Sequence, residues 1–243
     1  MPKRSRARAY LLLARVSNLP TIWTNVAAGW FCAMASQNSI VDYTADMQPT
    51  GNPALLSMSL FYMAGMFLND VCDAPFDARA RADRPIPAGD VSRREALAIA
   101  ILLFVIGEMV LLGSPRGFLA APWSLALIAA IVAYNLSHKG KWYGPIVMGL
   151  CRALVYFVAA STATGTVATA VVVAAIVMWL YVIALSWVAK AANLGYAVPW
   201  MLAGICLVDA LAILTIVGNL PTALVAVAAF PLTLALQRVV PGT

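Results

Sequence analysis

A succession of apolar stretches, each about long enough to cross the hydrocarbon core of a bilayer, sets the terms for this chain. About eight can be marked, approximately Tyr10–Ala35, Ala54–Asp70, Glu95–Gly113, Phe118–Ser137, Trp142–Ala160, Thr166–Ala189, Tyr196–Val217 and Leu220–Leu236. Proline, glycine and charge punctuate them at Pro49 to Pro53, Pro85 to Gly89, Ser114 to Gly117, Lys139 to Lys141 and Gly218 to Pro221. Hydrophobic residues make up 63% of the chain and charged residues 11%, whereas a soluble domain is nearer to half apolar and a quarter charged. The expected fold class is therefore all-α and integral to the membrane, a bundle of about eight transmembrane helices forming one domain over residues 1–243.

Basic residues orient the bundle. Lys3, Arg4, Arg6, Arg8 and Arg15 precede or open the first span, and Arg79, Arg81, Arg84, Arg93 and Arg94 lie between the second and third. Lys139 and Lys141 follow the fourth, Lys190 ends the sixth and Arg238 follows the eighth, all on one side if there are eight spans. The opposite loops hold Asp42, Asp46 and Arg116. The positive-inside rule then puts both termini on the cytoplasmic side. A net charge of +6 reads as topology and contact with anionic membrane lipids, with no need of nucleic acid. The basic start is read as the beginning of the first span rather than as a cleaved leader. Cys32, Cys72, Cys151 and Cys206 are isolated and form no CxxC pair, and His138 is the single histidine, so histidine-rich metal sites are excluded.

Between the second and third spans the chain reads NDVCDAPFDARARADRPIPAG, from Asn69 to Gly89. Asp70, Asp73 and Asp77 fall together in a protein with ten acidic residues among 243. Carboxylates at this spacing suit a hard divalent cation, and neighbouring guanidinium groups suit phosphate. The combination points to a magnesium-bridged diphosphate at a membrane surface. Asp70 and Asp73 lie one helical step apart beside Asn69, so they share a face. Pro75 is expected to end the helix, leaving Asp77 to be reached through a turn. A plain alternative is a solvated acidic loop whose aspartates pair with Arg79, Arg81 and Arg84.

The ordered run NDxxDxxxD, followed by a basic stretch and Arg84, Pro85 and Gly89, resembles the first aspartate-rich motif of the UbiA superfamily of intramembrane prenyltransferases. Two further stretches are similar to that family. LLLARVSNLPTIWTNVAAGW resembles its first helix, with Asn18 and Asn25 as the cavity-facing polar residues, and AYNLSHKGKWYGPIVMG resembles its Tyr-then-Lys segment, with Tyr134, Lys139 and Lys141 in those places. The resemblance implies a helical bundle around a central cavity. It also implies Mg²⁺ and an isoprenyl diphosphate at the cytoplasmic mouth, and transfer of the prenyl group to a lipophilic acceptor. Asp70, Asp73 and Asp77 would carry the chemistry, with Asp70 and Asp73 on the metal. Asn69, Arg84, Tyr134, Lys139, Lys141 and Asn25 would bind substrate. Tyr134, Trp142, Tyr143 and Tyr156 are aromatic faces suited to a nearby cation, or interfacial and packing residues.

One departure stands out. The family carries a second aspartate-rich motif after its sixth helix, and commonly nine spans. Here the corresponding segment, SWVAKAANLGYAVPW, offers Lys190 and Asn193 and no carboxylate; after Glu108 the only acidic residue is Asp209. This leaves one Mg²⁺ site expected and a second in doubt, with Lys190 as a direct phosphate contact. Short members without the second motif resemble the EboC-type branch. A non-catalytic protein that binds or exports a secondary-metabolite precursor is the alternative, and a partner supplying the missing half-site is a third. The glycine framework of a CDP-alcohol phosphotransferase is absent around Asp77, Ala78 and Arg79, and a transporter without Mg²⁺ chemistry is the remaining class. Within the spans, Arg152, Glu108 and Asp209 sit where a charge costs at least about 2.5–3.5 kcal/mol on insertion scales, so Arg152 is expected to pair with a carboxylate.

Overall fold

A computed structural model describes residues 4–37, 52–137, 142–190 and 195–240. These residues form helices and no strand: α1 (Arg6–Ala14), α2 (Leu19–Ser36), α3 (Pro53–Ala80), α4 (Arg93–Leu112), α5 (Gly117–Ser137), α6 (Gly144–Thr164), α7 (Thr169–Lys190), α8 (Val198–Ala212) and α9 (Leu220–Val239). Local sequence explains their ends. Asn52 accepts a hydrogen bond from the Leu55 amide at 3.2 Å and Pro53 opens α3, where its missing N–H costs nothing. Ser92 caps α4 through the Glu95 amide at 3.1 Å, and Asn219 caps α9 through that of Thr222 at 2.9 Å. Gly165, at φ 80°, closes α6 in the left-handed region that a β-carbon disfavours.

Seven helices among the described residues, α3 to α9 with the turns flanking α8, are long and apolar enough to cross a membrane. The first predicted span, Tyr10–Ala35, differs. It breaks at Arg15, whose left-handed φ of 44° ends α1, and a short 3₁₀ turn over Val16–Asn18 leads into α2. Buried Thr21, Thr24 and Asn25 make α2 too polar to face lipid, and it does not need to. It packs against α3, α6, α7, α8 and α9 and forms the middle of the bundle. Elsewhere each expected span falls on a helix, although α3 runs past its expected end at Asp70 to Ala80. Leu102, Val105 and Met109 of α4 point outward as a lipid-facing surface would.

Polar groups on α2 find partners inside the bundle. Arg152 of α6 donates to the Thr21 carbonyl at 3.2 Å, to Thr21 Oγ1 at 3.0 Å and to Asn25 Oδ1 at 2.8 Å. Asn25 Nδ2 in turn donates to both carboxylate oxygens of Asp209, at 2.9 and 2.8 Å, and the Tyr156 hydroxyl donates to the same carboxylate. The expected pairing of Arg152 with a carboxylate is therefore indirect. A neutral amide spans the gap, satisfying the guanidinium with its oxygen and the acid with its nitrogen. Glu108 takes no part and accepts from Ser124 at 3.0 Å between α4 and α5.

Packing fixes α2 against α6 at backbone contact. A β-carbon on Gly29 would lie 2.7 Å from the Tyr156 carbonyl oxygen and 2.8 Å from its Cα, which cannot swing away as a side chain would. Gly29→Ala is expected to cost about 1–3 kcal/mol by overpacking. Thermal unfolding in detergent measures this. Gly195→Ala, where no atom lies within 4 Å of the added carbon, serves as the neutral comparison.

Candidate functional site

The Asp-rich run is helical throughout. Instead of ending at Pro75, α3 continues to Ala80, so Asp77 stays on the helix with Asp70 and Asp73. Pro75 has no N–H to give the carbonyl of Val71, one turn earlier, and that orphaned acceptor is the usual reason a helix bends or stops. Here Arg93, at the start of α4, reaches over and donates Nε to the Val71 oxygen at 3.0 Å. The expected break does not occur because a side chain from the next helix supplies the missing donor.

The basic stretch then folds back over the helix end. The Arg84 amide donates to the Arg81 carbonyl at 3.0 Å, that of Ala88 to Arg84 at 2.9 Å, and Gly89 takes φ 78° to complete the turn. This carries Arg84 onto the acidic face, where Nη1 meets Asp70 Oδ1 and Asp77 Oδ2, each at 3.2 Å. Arg15 arrives from the other side. The Tyr62 hydroxyl donates to its carbonyl at 3.3 Å, and its Nη2 donates to Asp70 Oδ1 at 3.1 Å and Asn69 Oδ1 at 3.2 Å. Asn69 passes its own Nδ2 to Asn135 Oδ1 at 3.1 Å, and Asn135 is braced by the Ile131 carbonyl at 2.9 Å. The aspartates do pair with arginine, as the plain alternative expected of Arg84. Yet Asp70 and Asp77 are 6% and 2% exposed, so the pairs are buried rather than solvated.

Two adjacent cavities open beside this cluster. The outer one, about 380 Å³, is walled by Arg15, Asn69, Asp73, Arg81, Arg84 and Tyr134 from one side and by apolar residues of α6, α7 and α8 from the other. The inner one, about 180 Å³, is lined by apolar groups such as Met58, Phe61, Leu127 and Ile131, with Arg152 on its wall. Arg15, Tyr134, Met148, Leu185 and Leu202 border both, so a cationic mouth sits directly on an apolar chamber.

Sequence-predicted residues divide accordingly. Asn69, Asp73, Arg84 and Tyr134 meet at the mouth, and Asn18 lines the chamber. Asp70 and Asp77 lie against the arginines just behind. Asn25 is fully buried in its bridge to Asp209 and reaches neither cavity wall, and Tyr156 is likewise committed to Asp209. Trp142 is exposed and stacks edge-on with Tyr143 at 6.0 Å. Lys139, Lys141 and Asn193 lie outside the described residues, as does the side chain of Lys190, which closes α7. Arg15 and Asn135 were not expected. The one sequence signal for Arg15 was a charge inside an otherwise apolar run; Asn135 gave none beyond its place next to Tyr134.

Among the described residues no cluster of three His, Cys, Asp or Glu could cage a metal. Asp70 spends Oδ1 on two guanidinium groups and Asn69 Oδ1 accepts from Arg15, whereas Asp73 lines the mouth. Magnesium takes one or two protein carboxylates and completes its octahedron with water and phosphate. That donor set fits a single ion at the mouth. It does not fit a dedicated protein cage.

The UbiA prenyltransferase family model matches residues 25–196. Similar curated proteins include a 4-hydroxybenzoate octaprenyltransferase of Paracidovorax citrulli, 30% identical over 146 residues, 57% of this chain and 45% of the relative. A digeranylgeranylglyceryl phosphate synthase of Sulfolobus acidocaldarius is 28% identical over 137 residues, 56% of this chain and 45% of the relative. The chain thus spans about half the length of the curated relatives it matches. A solved structure from work on digeranylgeranylglyceryl phosphate synthase in membranes superposes with a TM-score of 0.55, covering 97% of this chain and 88% of that one. At 16% identity this establishes a shared fold.

The Pro75–Arg93 relationship is open to a mutant cycle. Arg93→Ala strips the Val71 carbonyl of its donor and is expected to cost about 1–3 kcal/mol. In a Pro75→Ala background the restored amide supplies the bond, and the same Arg93→Ala change should cost much less when thermal unfolding is compared across the four proteins.

Proposed function

We propose that this chain, which belongs to the UbiA prenyltransferase family, transfers an isoprenyl group from a prenyl diphosphate to a lipophilic acceptor, as a single integral membrane domain. The observation that carries this reading is the junction of the two cavities. A cationic mouth bordered by Arg15, Arg81 and Arg84 opens onto an apolar chamber, with Tyr134 at their common wall. An isoprenyl diphosphate has the same two parts in the same order, an anionic head and an apolar tail.

In this reading the diphosphate head rests among Arg15, Arg81 and Arg84 while the tail enters between α2, α3 and α5. The allylic C–O bond breaks with its electron pair leaving on the diphosphate, and the guanidinium groups stabilise the charge that develops there. Their planar forks suit phosphate oxygens better than a single ammonium would. Tyr134 presents its ring where the allylic carbon would lie, and the apolar wall keeps water from capturing the cation before the acceptor does. Asp73, with Asn69 beside it and Asp70 one helical step away, would hold one Mg²⁺. A bound ion would supply positive charge to offset what develops on the leaving diphosphate. Both termini and the Asp-rich turn are assigned to the cytoplasmic side, because Arg4, Arg8, Arg81, Arg84 and Arg93 gather at that end of the bundle.

A second reading, a non-catalytic carrier of an amphiphilic precursor, draws support from Asp70 and Asp77 being held by Arg15 and Arg84, and from Asp209 being buried in the bundle core. The two are separable. With Mg²⁺ and an allylic prenyl diphosphate, purified protein should release diphosphate, and Asp73→Ala should slow release by about 10²–10³-fold. Tight retention of the prenyl diphosphate without release, in both wild type and Asp73→Ala, would instead establish the carrier.

A further inference from the structure

A third cavity lies on the far side of Asp70, between α1 and the turn that follows α3. It holds about 480 Å³ and is lined by Arg4, Arg8, Arg15, Arg81 and Arg84, against Asp70 and Asp83. Asp70 is already committed to Arg15 and Arg84 at 3.1 and 3.2 Å. Neither Arg8 nor Arg81 forms an ion pair with a described carboxylate, and both are exposed. The cavity is thus strongly cationic beyond what its own acids offset. Its walls are also fixed. Arg4 donates to the Asp83 carbonyl at 2.5 Å and Arg6 pairs with Glu95 at 2.7 Å, and Ala9 and Leu13 pack into the same buried cluster as Phe67, Val71 and Val91.

We propose that this cavity is a second anion site, which takes a phosphate or diphosphate group at the membrane–water boundary. Convergent guanidinium groups on a preformed wall are the arrangement that binds phosphate oxygens. Leu12 and Pro85 add an apolar edge, as the glycerol or chain end of a headgroup would need. α1, nine residues long, is not among the seven helices long and apolar enough to span, and its arginines suit anionic headgroups. Arg15, Arg81 and Arg84 form a shared partition, with the mouth on the other side. This site stands whether or not the mouth is a transferase site, because Arg4 and Arg8 border only this third cavity.

The test uses the full chain in phosphatidylcholine nanodiscs with two probes, inorganic pyrophosphate followed by calorimetry and phosphatidic acid followed by native mass spectrometry. Arg8→Gln should weaken binding of at least one probe by about tenfold, and Arg8→Lys should recover most of it. Dependence confined to phosphatidic acid identifies a lipid headgroup as the source; dependence for pyrophosphate identifies a free phosphate. Unchanged binding of both probes in Arg8→Gln, with melting temperature retained, would overturn the proposal. Diphosphate release from a prenyl donor reads the mouth separately, so failure there leaves this result standing.

Discussion

The carboxylate of Asp70 is where three distant pieces of the chain are tied together. Its Oδ1 receives Arg15 from the junction of α1 and α2 and Arg84 from the turn after α3, while its own backbone belongs to α3. Two guanidinium groups on one oxygen repel each other, and the arrangement holds because Asp77 and Asn69 share the load. Removing the acid would leave two partly buried cations facing each other, a larger loss than a single surface ion pair. Mouth geometry, the course of the basic turn and the angle at which the chain enters α2 all follow from this contact.

Below the mouth the constraint changes from charge to saturation. Where lipid replaces water, each polar group needs a partner within the protein. α2 meets this demand by sitting inside the other helices and by exchanging hydrogen bonds with Arg152, and through Asn25 with Asp209. α3 meets it by borrowing a donor from α4 for the carbonyl that Pro75 strands. In the first case Asn25, which resembled a cavity-facing residue, has a stabilising job. The chamber lined by Met58, Phe61 and Ile131 remains apolar because those demands are met elsewhere.

Much of this was legible in the sequence, for identifiable reasons. Helices α3 to α9 follow from apolar length, and the acidic and basic content of the site from the Asn69–Gly89 run. Asp73, Asn69, Arg84 and Tyr134 were placed by spacing and resemblance, and they converge at the mouth. What failed depended on contacts between distant residues. Pro75 argued locally for a helix end, and nothing local could disclose that Arg93 would repair it. Arg15 was counted with the topological arginines, since its role depends on a left-handed turn that no glycine announces. Asn25 was assigned to a cavity on the strength of its helix, yet a buried acid on α8 claims it first.

Arg84, in the segment between α3 and α4, and Arg93, at the start of α4, both grip the end of α3, one through Asp70 and Asp77 and the other through the Val71 carbonyl that lies between them in sequence. The stretch between them therefore behaves as a calliper whose jaws close on α3. Its span is dictated by the helix it grips, so an inserted or deleted residue would force one jaw to let go. A segment that looks from its proline, glycine and exposure like a connection free to vary in length is in fact gauged to its neighbour.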